Sequence, residues 1–370
     1  MVQSMLVKEI AESVQAAATK VIASGDWQRY EGQNSQRLES DVANRVGQRE
    51  IQLTCSGTAA LEIALRAAGI GVGDEVLISG YDYPGNFWAI ERVGARPVLV
   101  DTAPSSWRID LASLKQAFQP SCKALIASHL HGELQKIDEL KEWCEHHKIL
   151  LIEDACQALG ASFRGSPIGS YGHFAILSFG GGKLLSCGRG GAWATSDETL
   201  AIKARVASGA GSGPYAMSEL QAAIVQAQFP WLDTINARCR EFFAALDRQL
   251  NIEGCEWTFV PENDLGSTAF YQCGWQINEQ CIEEERGALL KALRSISHHN
   301  EPQERELPFG VGFPGFHRRS TRRCRISDSL SHAAAAANCT LVLHHRVVLQ
   351  QRWDPQELAK WITTCITKAR

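Results

Sequence analysis

The sequence predicts an α/β fold in which a mostly parallel sheet is flanked by helices, with a smaller α+β region toward the C-terminal end. Three observations carry that expectation. Apolar runs of strand length alternate with runs of helical character through the first half of the chain, the pattern of strands joined by crossover helices. One of those runs, ILLIED, passes from β-branched and aliphatic residues straight into acids at Glu153 and Asp154; parallel strands deliver functional side chains at such C-terminal ends. Finally, a chain of 370 residues is long enough for a sizeable core and too long for only one, so a large and a small domain are expected.

The elements follow in order. Leu6, Ile10, Val14, Ala17 and Val21 recur at intervals of three or four and predict an amphipathic helix from about Leu6 to Ala23. Gly25 and Gly32 bracket a connector before a second helix; its Trp27 reads equally as a packed residue or as part of a site rim. IQLTCSGTAALEIALRAAGI is a strand, a small-residue turn and a helix. Ser56, Gly57 and Thr58 stand at that helix start, where unpaired N–H groups and the positive end of the dipole favour an anion, although an N-cap needs no ligand. DEVLISGYDYPGNFWAIERVGARPVLVD continues as strand, aromatic loop, helix and strand. Tyr81 and Tyr83 either pack that loop or offer a ring for stacking. KALIASHL, a helix from about Lys136 to His147, and ILLIED extend the alternation.

A further apolar run, HFAILSF, ends in Gly180, Gly181 and Gly182 and then Lys183, with AWATSD beyond it as a hairpin strand. Little side-chain bulk crowds an amine on such a turn. A lysine held among apolar neighbours has its ammonium form disfavoured and is available as a nucleophile toward a carbonyl. An acid in the same pocket can hold a pyridine nitrogen protonated and make the ring an electron sink. Read on residue types alone, Asp154 serves equally well as a loop cap and Lys183 as a solvated turn residue.

Past a glycine-rich loop, AMSELQAAI opens a long helical pattern that Pro230 kinks or divides. AFYQCGWQI reads as a strand, EERGALLKALRSI as a helix, TLVLHHRVVL as a late strand, and a closing helix starts at Asp354 or Pro355.

IEDACQALGA followed by SFGGGKLLSCGRGG resembles the paired signature of the DegT/DnrJ/EryC1/StrS family of sugar aminotransferases, enzymes of fold type I that use pyridoxal 5'-phosphate (PLP). The resemblance covers most of residues 24–240. It implies a sheet of the seven-stranded type, a homodimer, and three regions: an N-terminal helix and lead-in segment over 1–30, a large PLP-binding domain over 31–250 and a small α+β domain over 251–370. Residue by residue it implies that Asp154 binds the pyridine nitrogen, Gln157 lies by the ring, Ser178 binds phosphate and Lys183 forms the Schiff base. It also places Gly57 and Thr58 at the cofactor phosphate and Tyr83 as the stacking aromatic. The activity implied is transfer of an amino group from glutamate or glutamine to a keto-sugar, commonly nucleotide-linked. A free cyclitol or another ketone is the alternative acceptor, and a non-catalytic regulatory or scaffold protein is the alternative of a different class. A dehydratase branch of the family has histidine in place of the lysine, and Lys183 argues against it.

The sequence departs from the family pattern at several positions. Leu159 replaces the usual His, Arg189 the usual Glu, and His131 a frequent Tyr; His131 reads as a satisfied structural histidine. Pro214 and Ala216 stand where the family has an Asn and an Arg, the Asn being the residue that reaches the neighbouring subunit's cofactor phosphate.

Composition limits what else the chain does. A formal net charge of −4 gives no reason to expect nucleic acid. Arg318, Arg319, Arg322, Arg323 and Arg325 fall within eight positions and read either as a phosphate clamp or as a solvated loop paired with acids such as Glu304 and Glu306. There is no stretch of 18 apolar residues and no signal-peptide pattern, so a cytoplasmic protein without a membrane span is expected. Twelve scattered cysteines read as reduced core thiols, and their spacing supports no metal site.

Overall fold

The computed structural model describes residues 5–209, 213–255, 257–259, 266–277, 283–294, 307–316, 323–326, 329–350 and 353–369. Its centre is an eight-stranded sheet in the order Glu50–Thr54, Gly191–Thr195, Phe174–Ser178, Leu150–Asp154, Cys122–Ser128, Glu75–Ser79, Arg96–Val100 and Arg325–Ile326. Only Gly191–Thr195 runs antiparallel to its neighbours, which is the hairpin partner expected after the lysine turn. The sheet carries seven long strands and one addition the sequence did not announce. Arg325 and Ile326 pair with Val98 and Leu99 at the far edge, and a two-residue strand is too short to show a period.

Alternation along each strand assigns its residues to two cores. Val76 and Ile78 join one cluster and Leu77 the other; Ala124 and Ile126 likewise oppose Leu125 and Ala127. On the first face lie the helices Gly57–Ala67, Pro84–Arg92, Glu198–Ser208 and Ser331–Cys339, contributing Leu61, Ile90, Leu200 and Ala333. On the second lie Gln33–Val46, Leu111–Ala117, Ile137–His147 and Leu232–Ile252, through Val42, Leu114, Leu140 and Leu232. The first helix spans Met5–Ser24.

Pro230 divides the long helical pattern as expected. It lies in the 3-10 turn Phe229–Trp231 between Glu219–Gln228 and Leu232–Ile252, because proline is tolerated in a first turn and not in a helix interior.

Downstream, an antiparallel four-stranded sheet runs in the order Thr258–Phe259, Gln272–Gln276, Thr340–His344, Phe309–Val311. The late strand stops at His344, earlier than TLVLHHRVVL suggests. The next residues close the short helix Arg346–Leu349, whose Val347 and Val348 are buried, so the β-branched pair follows its packing and not its propensity. The closing helix is Pro355–Ala369, with Asp354 Oδ1 accepting from Gln356 N at 2.8 Å and Glu357 N at 2.9 Å. No two described cysteines form a disulfide, and Cys122, Cys144 and Cys273 are among the buried ones. No described helix is long and apolar enough to cross a membrane.

Two of the five clustered arginines are described, and both are engaged. Arg325 reaches Glu75 with Nη2 at 2.7 Å and Nε at 2.9 Å. Arg323 meets Glu91 at 2.6 and 2.7 Å. The acids that pair with them are therefore Glu75 and Glu91, supplied by the large sheet and its helix. Arg318, Arg319 and Arg322, like Glu304 and Glu306, lie outside the described residues.

Candidate active site

Consecutive acids at the end of the Leu150–Asp154 strand point to opposite faces, and the two have different partners. Glu153 is fully buried, accepting from Gly169 N at 2.7 Å and from Tyr171 N and Gly172 N at 3.1 Å; it fixes a loop. Asp154 faces a cavity of about 320 Å3 at the C-terminal edge of the sheet, the position where open α/β sheets bind ligands. Its Oδ2 accepts from Asn86 Nδ2 at 2.7 Å and its Oδ1 from Cys156 N at 2.9 Å.

Lys183 arrives from the neighbouring strand Phe174–Ser178 through the Gly180–Gly182 turn. Gly182 has φ 96°, a left-handed conformation that favours glycine, and Lys183 N donates to Gly180 O at 2.9 Å. Its Nζ lies over the Tyr271 ring, 4.0 Å from the centroid. Burial pushes the ammonium below its ordinary value, against the opposing pull of Cys156 and Asp154. The nearby imidazoles add no charge near neutrality: burial lowers His344 to about 3 and His345 to about 4.

The third wall is the start of the Gly57–Ala67 helix, where Ser56 Oγ caps by accepting from Ala59 N at 3.1 Å. The turn fits only because glycines meet there. A Cβ on Gly57 would lie 3.0 Å from Cys156 Sγ and 3.1 Å from Leu177 O, and one on Gly191 would lie 2.4 Å from both Gly57 N and Ser56 C. Gly191→Ala is accordingly expected to destabilise the protein by about 1–3 kcal/mol, read as a lower melting temperature; an unchanged one would mean that strand and helix start can separate freely.

All seven residues singled out from the sequence line this one cavity: Gly57, Thr58, Tyr83, Asp154, Gln157, Ser178 and Lys183. Tyr83 is 45% exposed and meets Phe313 edge-on at 5.7 Å. A Cβ on Gly85 would fall 2.4 Å from the Tyr83 ring and 2.8 Å from Thr58 Oγ1, so the glycine lets the ring lie beside the helix start. Gln157 Oε1 accepts from His131 N at 3.1 Å. Gly180 N donates to Ser178 Oγ at 3.3 Å.

Arg189 stands at the cavity mouth. Trp27 and Tyr30 are exposed and do not line the cavity. His131 differs from its expectation on one side: Nε2 lies 3.0 Å from Tyr81 Oη, but the buried Nδ1 has no partner. Burial and the charge of Lys183 lower its pKa to about 3, so it stays neutral. The segment holding Pro214 and Ala216 folds against the first strand, where Cys55 N donates to Tyr215 O at 2.6 Å.

Sequence reasoning missed Asn86, Cys156, Tyr271 and Phe313, which share the cavity, and Asp82 and Ser128 behind it. For Asp82 and Asn86 a signal existed, two polar residues four apart on either side of Pro84 and Gly85 in an otherwise apolar stretch. Tyr271 and Phe313 come from the distant four-stranded sheet and carry no local mark.

Comparison with known proteins bears on this arrangement. The chain is 36% identical over 219 residues to the GDP-perosamine synthase of Caulobacter vibrioides, a match spanning 56% of this chain and 59% of that protein. It is 33% identical over 391 residues to the L-glutamine:2-deoxy-scyllo-inosose aminotransferase of Micromonospora echinospora, spanning 93% of this chain and 90% of that one. In fold it matches the crystal structure of 3-amino-5-hydroxybenzoic acid synthase with a TM-score of 0.81 over 96% of this chain and 97% of the other, at 24% identity. A sequence profile of the family resembled at Asp154 and Lys183 matches residues 8–352, and the chain belongs to the DegT/DnrJ/EryC1/StrS aminotransferase family.

Proposed function

We propose that the chain is a PLP-dependent aminotransferase that moves an amino group from glutamate or glutamine to a keto group on a sugar or cyclitol. The observation that carries this reading is the meeting of Asp154, Lys183 and the Ser56–Thr58 helix start around one cavity of about 320 Å3. A phosphorylated pyridine fits that donor set. The helix start and the Ser178 hydroxyl suit a phosphate, the Asp154 carboxylate suits a protonated ring nitrogen, and an amine of lowered pKa suits a carbonyl. When bound, the cofactor supplies an electron sink for a carbanion.

The chain's own residues do the rest. Lys183 would hold the cofactor through its carbonyl carbon, and its Nζ would serve as the base and acid that moves a proton from the donor α-carbon to the cofactor carbon on the other side of the shared nitrogen. Asp154 would hold a proton on the ring nitrogen. Tyr83 and Phe313, which meet edge-on, supply aromatic surface beside a bound ring. For a keto acceptor the same Nζ would serve the reverse proton transfer. A non-catalytic scaffold would have no use for an amine and a carboxylate converging on one cavity.

The test is the visible absorption spectrum of the purified protein before and after borohydride reduction, with peptide mapping of the trapped adduct. A pyridoxyl group on Lys183 is expected. A protein that stays colourless with added PLP would overturn the reading.

Two acceptors suit this reading, an uncharged polyhydroxy ketone and a nucleotide-linked sugar, and Arg323 and Arg325, occupied by Glu91 and Glu75, are not free to clamp the phosphates of the second. Assays of the glutamine-charged enzyme with a free keto-cyclitol and with a nucleotide-linked keto-sugar separate the two.

A further inference from the structure

Behind Asp154 lies a second carboxylate for which the proposed reaction has no role. Asp82 is fully buried and shares two partners with Asp154. Asn86 Nδ2 is 2.7 Å from Asp154 Oδ2 and 3.2 Å from Asp82 Oδ1. The Ser128 hydroxyl is 2.9 Å from Asp82 Oδ2 and 3.5 Å from Asp154 Oδ2. Two buried anions this close, with only neutral groups between them, repel strongly.

Counting protons decides which of the two is neutral. Asp82 Oδ1 accepts from Tyr83 N at 2.6 Å as well as from Asn86, so its Oδ2 is the oxygen left to carry a proton. With a proton there, Oδ2 donates to Ser128 Oγ, and the Ser128 hydroxyl turns its own hydrogen toward Asp154. Without it, the Ser128 hydrogen is spent on Asp82, and Asp154 loses a donor while gaining a like charge. The groups facing Asp82 are Asp154 and the Cys156 thiol; Lys183 lies across the cavity.

We propose that Asp82 is a protonated positioning residue that donates through Ser128 to Asp154 and leaves Asp154 as the sole carboxylate anion at the cavity. The proposal rests on the reading that Asp154 faces the cofactor ring nitrogen. Its physical basis is burial, reinforced by the charge of Asp154, which raises the Asp82 carboxyl to about 8. The Asp82 proton is thus held below about pH 8 and lost above it.

Two measurements on the full chain test this. The first is the infrared carbonyl stretch of a protonated carboxyl group, read as wild type minus Asp82→Asn, because Glu133, raised to about 7 by burial, also absorbs there. A difference band is expected at about pH 6, absent above about pH 9. In Asp154→Asn its midpoint should shift, since both the neighbouring charge and the Asn86 hydrogen bond to Asp82 change. Should Asp82→Asn not fold, the component of the wild-type titration that Asp154→Asn shifts identifies Asp82 by itself. No difference band, or a midpoint indifferent to Asp154, would overturn the proposal.

The second is PLP affinity followed by cofactor absorbance. Asp82→Ala should weaken binding by about 10- to 100-fold, whereas Asp82→Asn, which keeps a donor without a charge, should restore it. An asparagine variant as weak as alanine would sink the donor role. If wild type itself takes up no PLP, the proposed function fails, while the infrared band still decides the protonation of Asp82.

Discussion

Replacing Lys183 with alanine is expected to abolish amino transfer while leaving the fold standing. The lysine amine has two tasks in the proposed reaction, attack on a carbonyl and carriage of a proton between two carbons, and no other described group is placed to take over. His344 and His345 remain neutral near pH 7, and the thiol of Cys156 is held protonated by burial. The proton transfer alone is worth about 10²–10⁴-fold, and loss of the nucleophile adds to it.

Stability should move little, because two small effects oppose each other. Because burial lowers the Lys183 pKa, its ammonium disfavours the folded state at pH values below its folded pKa, and the variant loses that cost together with the contact to Tyr271. The cofactor-free variant should therefore melt at or near the wild-type temperature. Undiminished turnover in Lys183→Ala would sink the mechanism, and a large fall in the melting temperature of the cofactor-free protein would mean that the lysine turn is part of the core.

This part of the site was legible because its chemistry is local. Asp154 ends an apolar strand, Lys183 follows three glycines, and both strands announce themselves by composition. The helix start at Ser56 was legible for the same reason. What stayed hidden is whatever reaches the site from elsewhere in the chain. Tyr271 touches Lys183 across a separation no periodicity spans, and Phe313 covers Tyr83 from the second sheet. Arg325 shows the same limit in the fold: its partner Glu75 lies 250 residues away, so a residue that read as part of a surface run closes an edge of the sheet. Asp82 was half legible. Its position beside Tyr83 was visible, but whether it faced solvent or Asp154 depended on the turn at Pro84, which brings Asn86 to both acids, and on the end of the distant Cys122–Ser128 strand, which brings Ser128.

Asp154→Asn is expected to lower kcat by about 10²–10³-fold in a protein that still folds, the scale on which a preorganised charge acts in a water-excluded site. The substitution is close to isosteric and removes the only carboxylate lining the cavity among the described residues. It is not neutral for hydrogen bonding. Both oxygens of Asp154 accept, Oδ2 from Asn86 and Oδ1 from Cys156 N, so an asparagine amide must turn its NH2 group toward one existing donor. Asn86 can answer only by flipping its own amide, and its oxygen then faces Asp82 Oδ1 at the 3.2 Å now spanned by a donor. That contact is repulsive toward an Asp82 anion and toward an Asp82 carboxyl whose proton sits on Oδ2. A modest loss of stability, about 1–3 kcal/mol, should accompany the loss of rate. Combining Asp154→Asn with Asp82→Asn separates the effects, since the second change turns a repulsive carboxylate into an amide that can reorganise with Asn86. The pair should be less destabilising than the sum of the single changes, with no recovery of kcat. Recovery of kcat in the double variant would mean that Asp154 serves the packing of this network and not the charge on a bound ring.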